Sequence, residues 1–287
     1  MIIISIHIFP FEMRRFERLV HNLNNCMEYL NPYDILLHIT LNTNDRILIK
    51  DKHEHQSVQE FNKIIKQIKF KNISHIKSQP EFLGVNEHRR QTIEIASNSD
   101  YIIFLDSDVY FNKTILAHHI NSIHTLSEKH KYFIISPCTI KLWDNTWDII
   151  THQDYIEKPN DFYLKADYYN IVNKNYGQVS LKKINKFKWG GGWFNCISAS
   201  LLKKVGIPKS FVGYGPDDTF VMECCKLMKR DGENIQQYLL NNMVVCEDTP
   251  IGRHHFKKNI PNFRELCNKK FRSELLEFNK RYKKETN

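Results

Sequence analysis

Two carboxylates spaced i, i+2 close an apolar run of five residues in the stretch 101–111, Tyr-Ile-Ile-Phe-Leu-Asp106-Ser-Asp108-Val-Tyr-Phe. An apolar run without polar alternation suits a strand buried on both faces of a parallel sheet. On extended backbone, side chains two apart point the same way, so Asp106 and Asp108 can address one ligand together. Ligands of open α/β sheets bind outside the carboxyl ends of strands, where this pair falls. Hard oxygen donors there suit Mg2+ or Mn2+, with a diphosphate supplying further oxygens. A bare Asp-x-Asp is equally well explained by a strand ending in polar turn residues, so other residues must decide.

A second group reads Gly213-Tyr214-Gly-Pro-Asp217-Asp218. Proline and acids at the start of a helix satisfy any helix N-terminus. The chemical reading makes one of the two carboxylates a general base, kept ionised at neutral pH by that helix end. Tyr214 can offer its ring to the C–H face of a sugar or pack in the core. Downstream, Arg253-His254-His255 follows the apolar stretch 243–246. Imidazole suits Mn2+ beside carboxylates, and Lys257 and Lys258 can meet phosphate oxygens. Arg89 and Arg90 sit in the helical stretch 86–98 ahead of the Asp-x-Asp. A planar guanidinium matches a diphosphate, and a solvated surface arginine is the plain alternative.

These groups need elements to hold them. The 287 residues are 41% hydrophobic and 25% charged, ordinary for a soluble chain able to bury a sizeable core. Lys+Arg 41 against Asp+Glu 32 gives a net charge of +9, which favours anionic partners. There is no basic stripe interleaved with aromatics, so nucleic acid is not an expected partner. Seven irregularly spaced cysteines argue against a disulfide framework and for a reducing compartment. No stretch reaches the ~20 apolar residues a membrane span needs.

Strand patterns at 2–9, 33–41, 73–78 and 101–105 alternate with helical patterns at 11–30, 59–70 and 86–98, which argues for a nucleotide-binding βαβ half. Further strands are expected at 132–137 and 243–246. A strand and then a helix are expected over 194–205, and another helix from the Asp217 region to about 230. The polar, aromatic stretch 141–188 is expected to be irregular and to cover a site. From 263 onward the tail is basic, with Phe271, Leu275, Phe278 and Tyr282 on one helical stripe that packs on the domain or meets a membrane surface.

With these residues in place, 86–111 resembles the inverting GT-A glycosyltransferases, in which an arginine-bearing helix precedes a strand ending in Asp-x-Asp. The second half is similar to the β-1,4-galactosyltransferases. It carries Gly191-Gly192, Gly213-Tyr-Gly-Pro-Asp-Asp, Arg253-His254, Lys257-Lys258-Asn259 and Pro261-Asn262 in that family's order. The chain has Tyr where the family has Trp, Pro for Gly and Asp for Glu, and lacks one residue between His254 and the lysines. The resemblance implies Asp218 as catalytic base and Asp217, Tyr214 and Trp193 as acceptor-binding residues. It makes Asp108 and His254 metal ligands, with Asp106 either a third ligand or a partner of the nucleotide ribose. Arg89, Asp106, Lys257, Lys258, Gly191 and Gly192 would bind the donor, and the loop 252–263 would close over it.

The expectation is therefore an α/β protein of GT-A type: a Rossmann-like, mostly parallel central sheet flanked by helices, with a mixed acceptor-binding half. One catalytic domain would span 1–262, divided into a nucleotide-binding half (1–111) and an acceptor-binding half (112–262), with a basic helical tail at 263–287. Implied by the resemblance are a Mn2+ or Mg2+ cofactor, a UDP-sugar donor, hexose transfer with inversion and a glycan or glycoconjugate acceptor. A cytoplasmic location is expected, with peripheral contact at the membrane inner face through the tail. A nucleotidyltransferase acting on a sugar phosphate is disfavoured because no glycine-rich basic loop follows the first strand, which runs into His7-Ile-Phe-Pro. A non-catalytic sugar- or nucleotide-binding module of the same fold is the remaining alternative.

Overall fold

Strand β1 (Ile2–Ile8) is buried at all seven positions, and the rest of the sheet is built outward from it. This is a computed structural model, and it describes residues 1–31, 33–43, 54–76, 79, 81, 84–140, 148–158, 162, 165–185, 187, 194–212, 216–247 and 263–286. After β1 come helix α1 (Met13–Cys26), β2 (Ile35–Leu41), α2 (Glu54–Ile65), β3 (Asn72–Ile76), α3 (Val85–Ile95) and β4 (Tyr101–Leu105). The short β5 (Val109–Tyr110), α4 (Ile115–Ser127) and β6 (Tyr132–Thr139) follow. Then come α5 (Tyr168–Asn173), β7 (Ser180–Ile184), β8 (Cys196–Ser198), α6 (Ala199–Val205), α7 (Asp217–Arg230), β9 (Ile235–Glu247) and α8 (Phe263–Thr286).

The strand order is β3-β2-β1-β4-β8-β6-β9-β5, with β7 also paired to β9. Strands β1 to β4 are mutually parallel. Strand β8 runs antiparallel between β4 and β6, and β9 is parallel to β6. Strands β5 and β7 pair antiparallel with β9. The result is the expected α/β architecture, a Rossmann-like parallel half continuing into a mixed half flanked by helices. Because β2 and β4 leave β1 on opposite sides, the carboxyl ends of β1 and β4 form a topological switch point, where such sheets bind ligands.

The unbroken apolar strands serve two cores. Ile2, Ile4, Ile6 and Ile8 face α1, α2 and α4, while Ile3, Ile102 and Phe104 face α3, α6, α7 and α8. This two-sided burial is why these strands lack polar alternation.

Several boundaries differ from the sequence expectation. Helix α2 starts at Glu54 and ends at Ile65 rather than covering 59–70, because its polar first turn shows no apolar periodicity. The strand expected at 243–246 is the end of the 13-residue β9, whose earlier Gln and Asn residues hide its pattern. Gln237 is nevertheless fully buried, donating to Ser136 Oγ at 2.9 Å. The stretch 141–188 is not uniformly irregular, since it holds α5 and β7. Strand β7 escapes notice because Lys182 and Lys183 are exposed.

In α8, Phe278 and Tyr282 are buried in the second core, with Phe271 and Leu275 packed against it. Phe278 meets Phe220 of α7 edge-on at 6.3 Å between ring centres. The apolar stripe of the tail is thus spent on the protein itself. Among the described residues no helix is long and apolar enough to cross a membrane. All seven cysteines are free thiols.

Candidate active site

The apolar run of β4 ends at Leu105, and Asp106 and Asp108 follow on the turn into β5. Asp108 is fully buried, while the Asp106 side chain keeps 22% of its surface. Val109 of β5 pairs with Glu247, the last residue of β9. That pairing brings a third carboxylate, also buried, to the two aspartates, and one oxygen of each lies within 4.8 Å of the others. Glu247 was not among the residues singled out from sequence.

A bulge aims Glu247 at this point. Opposite Pro137 and Cys138 of β6 the partners on β9 jump from Leu240 to Val244, so Asn241, Asn242 and Met243 are inserted. Asn242 takes a left-handed conformation, φ 66°, which asparagine tolerates better than most residues. Its side chain donates to Gln178 O at 3.0 Å and lies 3.3 Å from His152 Nε2. Beyond the bulge, β9 turns its last residues onto β5. From the other side, Arg18 of α1 donates to the Ser107 carbonyl at 3.3 Å and to the Tyr110 hydroxyl. Its guanidinium lies 3.8 Å over the Tyr110 ring, so one side chain holds both ends of the Asp-x-Asp turn.

Arg89 of α3 links this centre to the second acidic group. Its Nη1 is 2.5 Å from Asp217 Oδ2 and its Nη2 is 3.5 Å from Asp106 Oδ1. Burial alone would lower the Arg89 pKa, but Asp217 and Asp106 more than offset this and hold it charged. Pro216 caps α7, with its carbonyl accepting Phe220 N at 2.8 Å, so Asp217 and Asp218 occupy the first turn. Proline is therefore one position earlier than the first helical residue, where its missing N–H costs nothing.

Asp218 is half-buried and accepts from Thr219 N at 2.6 Å. Its carboxyl is pushed up to about 6, by burial first and then by the charge of Asp217, against the pull of Arg89 and Thr219. The helix end does not by itself keep Asp218 strongly acidic. It remains mostly ionised at neutral pH, within reach of protonation. On the β1 side, burial pushes His7 down to about 3, leaving a neutral ring 3.1 Å from Asn42 Nδ2. His88 stacks on His38 at 4.8 Å, and burial lowers both.

Two fully buried carboxylates beside a third repel one another strongly in a low-dielectric setting, and a divalent cation would relieve this. An all-oxygen donor set fits Mg2+ or Mn2+ better than softer metals.

The fold thus gathers Asp106 and Asp108 at one point, and Arg89, Asp217 and Asp218 beside it. His254, Lys257, Lys258, Gly191, Gly192, Trp193 and Tyr214 lie outside the described residues. Arg90 is not at the site; it donates to the carbonyls of Pro208 and Phe211 at 2.9 and 3.1 Å. Glu247 had one sequence signal: like Asp106, it is a carboxylate that ends an apolar run.

No family model and no curated protein matches the sequence. Among solved structures, the chain is similar to S. aureus TarS 1-349 in complex with UDP-GlcNAc. The identity is 12% and the TM-score 0.49, over 92% of this chain and 64% of that one. It is also similar to GalNAc-T7 with UDP, GalNAc and Mn2+, at 11% identity and TM-score 0.49, over 86% of this chain and 43% of that one. The chain thus spans less than two thirds of these proteins. Likenesses of this size carry no functional argument, and the site stands on its own geometry.

Proposed function

We propose that the protein is a metal-dependent glycosyltransferase that moves a hexose, of galactose or N-acetylhexosamine type, from a UDP-sugar to a hydroxyl of a glycan or glycoconjugate, with inversion. One observation carries this reading: Asp106, Asp108 and Glu247 converge at the switch point of the sheet, and Arg89 ties Asp106 to a helix whose first turn bears a carboxyl pushed up to about 6.

Asp106, Asp108 and Glu247 would hold Mn2+ or Mg2+, joined by His254 from the 252–263 segment. When bound, the cation supplies positive charge for the leaving diphosphate. Asp218 accepts the proton of the acceptor hydroxyl as that oxygen forms its bond to the anomeric carbon. The bond to the diphosphate breaks, and UDP leaves with the electron pair. Asp217, fixed by Arg89, orients the acceptor together with Tyr214 and Trp193. Arg89 acts through the two carboxylates it bridges. Lys257, Lys258 and the Gly191-Gly192 stretch would contact the donor, with the 252–263 segment excluding water that could hydrolyse it. The ordered motifs of the second half support the assignment of Asp217, Asp218 and His254.

The test is UDP release from a panel of UDP-sugars with Mn2+ and mixed oligosaccharide acceptors, for the native chain and Asp218→Asn. Acceptor-dependent release from the native chain and its loss in the variant are expected. Equal turnover by both would overturn Asp218 as the base, and no release with any donor would overturn the transferase reading.

A further inference from the structure

A cleft of about 760 Å³ lies in the second half, outside the carboxylate centre. Tyr155, Phe162 and Ile171 form its apolar part, and Lys158, Lys165 and Lys174 are at its wall. Its size suits a saccharide of a few units. The floor is fixed: Tyr155 and Tyr176 share a hydrogen bond of 2.5 Å, and the Tyr176 hydroxyl donates to Ile171 O at 2.8 Å. The Lys158 ammonium sits 5.6 Å from the centre of the Phe162 ring.

The charges around the cleft do not cancel. Lys174 is matched by Asp154 at 2.9 Å, and Asp167, which keeps its negative charge, caps α5 through Asn170 N at 3.0 Å, so three lysines face two carboxylates. Lys158 and Lys165, both exposed, form no salt bridge among the described residues, and Lys158 acts on Asp154 only as the weakest of the charges that lower its carboxyl. Two lysines beside an aromatic floor suit a ring with C–H faces that bears an anionic substituent.

The segment that lines the cleft packs on the end of β9 that carries Glu247. Tyr155, Val172 and Cys246 belong to one apolar cluster, and Cys246 immediately precedes Glu247. Tyr168, next to Asp167, stacks on Tyr110 at 5.5 Å, two residues beyond Asp108.

We propose that this cleft seats a part of the acceptor remote from the reacting hydroxyl and selects a saccharide bearing a carboxylate or phosphate, with Lys158 and Lys165 meeting the anionic group. The proposal rests on the transferase reading above and adds the acceptor class.

The test is calorimetric titration of the full chain with 3′-sialyllactose and glucose 6-phosphate, against lactose and inorganic phosphate. The same titrations follow on Lys158→Gln/Lys165→Gln, whose exposed positions leave folding intact. At least one acidic sugar is expected to bind at least about tenfold more tightly than lactose and phosphate, and to lose that margin in the double variant. Lactose binding equally well, phosphate alone binding equally well, or an unchanged double variant would each overturn the proposal. UDP with Mn2+, titrated in parallel, reports on the carboxylate centre alone. Failure of UDP to bind overturns the transferase reading, whereas failure of both acidic sugars with UDP binding intact overturns only the cleft assignment.

Discussion

Arg89 and Asp217 stand 128 positions apart in the chain and meet at 2.5 Å, each with only 6% of its side chain exposed. The pair fixes the first turn of α7 against α3, and the second arm of the same guanidinium reaches Asp106. Asp106 of the carboxylate centre and Asp217 of the first turn of α7 therefore share one buried cation.

Removing that cation leaves a buried carboxylate uncompensated, which costs roughly 3–5 kcal/mol. Arg89→Met should lower stability by about this amount in chemical denaturation. Arg89→Met combined with Asp217→Leu should recover much of the loss without recovering activity. Recovery of turnover in the double variant would show that the pair is structural only.

As the proposed base, Asp218 should set an acid limit on activity. Its carboxyl is pushed up to about 6, from an ordinary 3.8. Turnover should fall as pH drops through about 6, because a protonated carboxyl cannot accept the acceptor's proton. The stability effect has the opposite sign from a salt-bridged acid. Between pH 6 and 4 the folded chain binds more protons than the unfolded chain, so this group favours folding increasingly as pH falls. Asp218→Asn should thus raise the Tm at pH 7.5 and lose that advantage near pH 4, as thermal scans across pH would record.

Glu247→Gln removes one of three mutually repelling carboxylates. Without metal the variant should be more stable than the native chain, and the stabilisation by Mn2+ seen in the native chain should largely vanish. Thermal scans with Mn2+ and with EDTA read both effects. Undiminished Mn2+ stabilisation would remove Glu247 from the ligand set.

Arg18 holds the turn between Asp106 and Asp108 through the Ser107 carbonyl and the Tyr110 ring. Arg18→Met should weaken Mn2+ binding by about 10–100-fold, the usual range for groups that orient metal ligands. Titration calorimetry checks this, and Arg18→Lys should restore only part of the loss, since an ammonium lacks the planar fork.

At Asn242 the backbone, with φ 66°, separates two effects. Asn242→Ala and Asn242→Gly lose the same side-chain bonds, but only alanine is strained in the left-handed region. Glycine should therefore be the more stable variant by about 1 kcal/mol in denaturant titrations, the reverse of its usual cost in a strand.

The parallel half was legible because β1 and β4 are apolar runs buried on both faces, a pattern that survives without knowledge of neighbours. Asp106 and Asp108 were legible because their relation is local, two positions on one extended segment. The pairing of Arg89 with Asp217 and of Val109 with Glu247 joins residues more than a hundred positions apart, and nothing in the local pattern encodes it. Strand β9 was only half visible because Gln236, Gln237, Asn241 and Asn242 interrupt its apolar residues, although Gln237 is buried on a partner of its own. The helical tail was legible as a stripe, but whether that stripe met the protein or a membrane depended on Phe220, which only the folded chain brings beneath it.

The most direct measurement is calorimetric titration of UDP into the native chain and into Glu247→Gln, each with Mn2+ and with EDTA. UDP should bind the native chain in Mn2+, and binding should be lost or weakened at least about tenfold both in EDTA and in the variant. UDP binding that is indifferent to metal and to Glu247, or no UDP binding under any condition, would contradict a metal-dependent UDP-sugar transferase built on these three carboxylates.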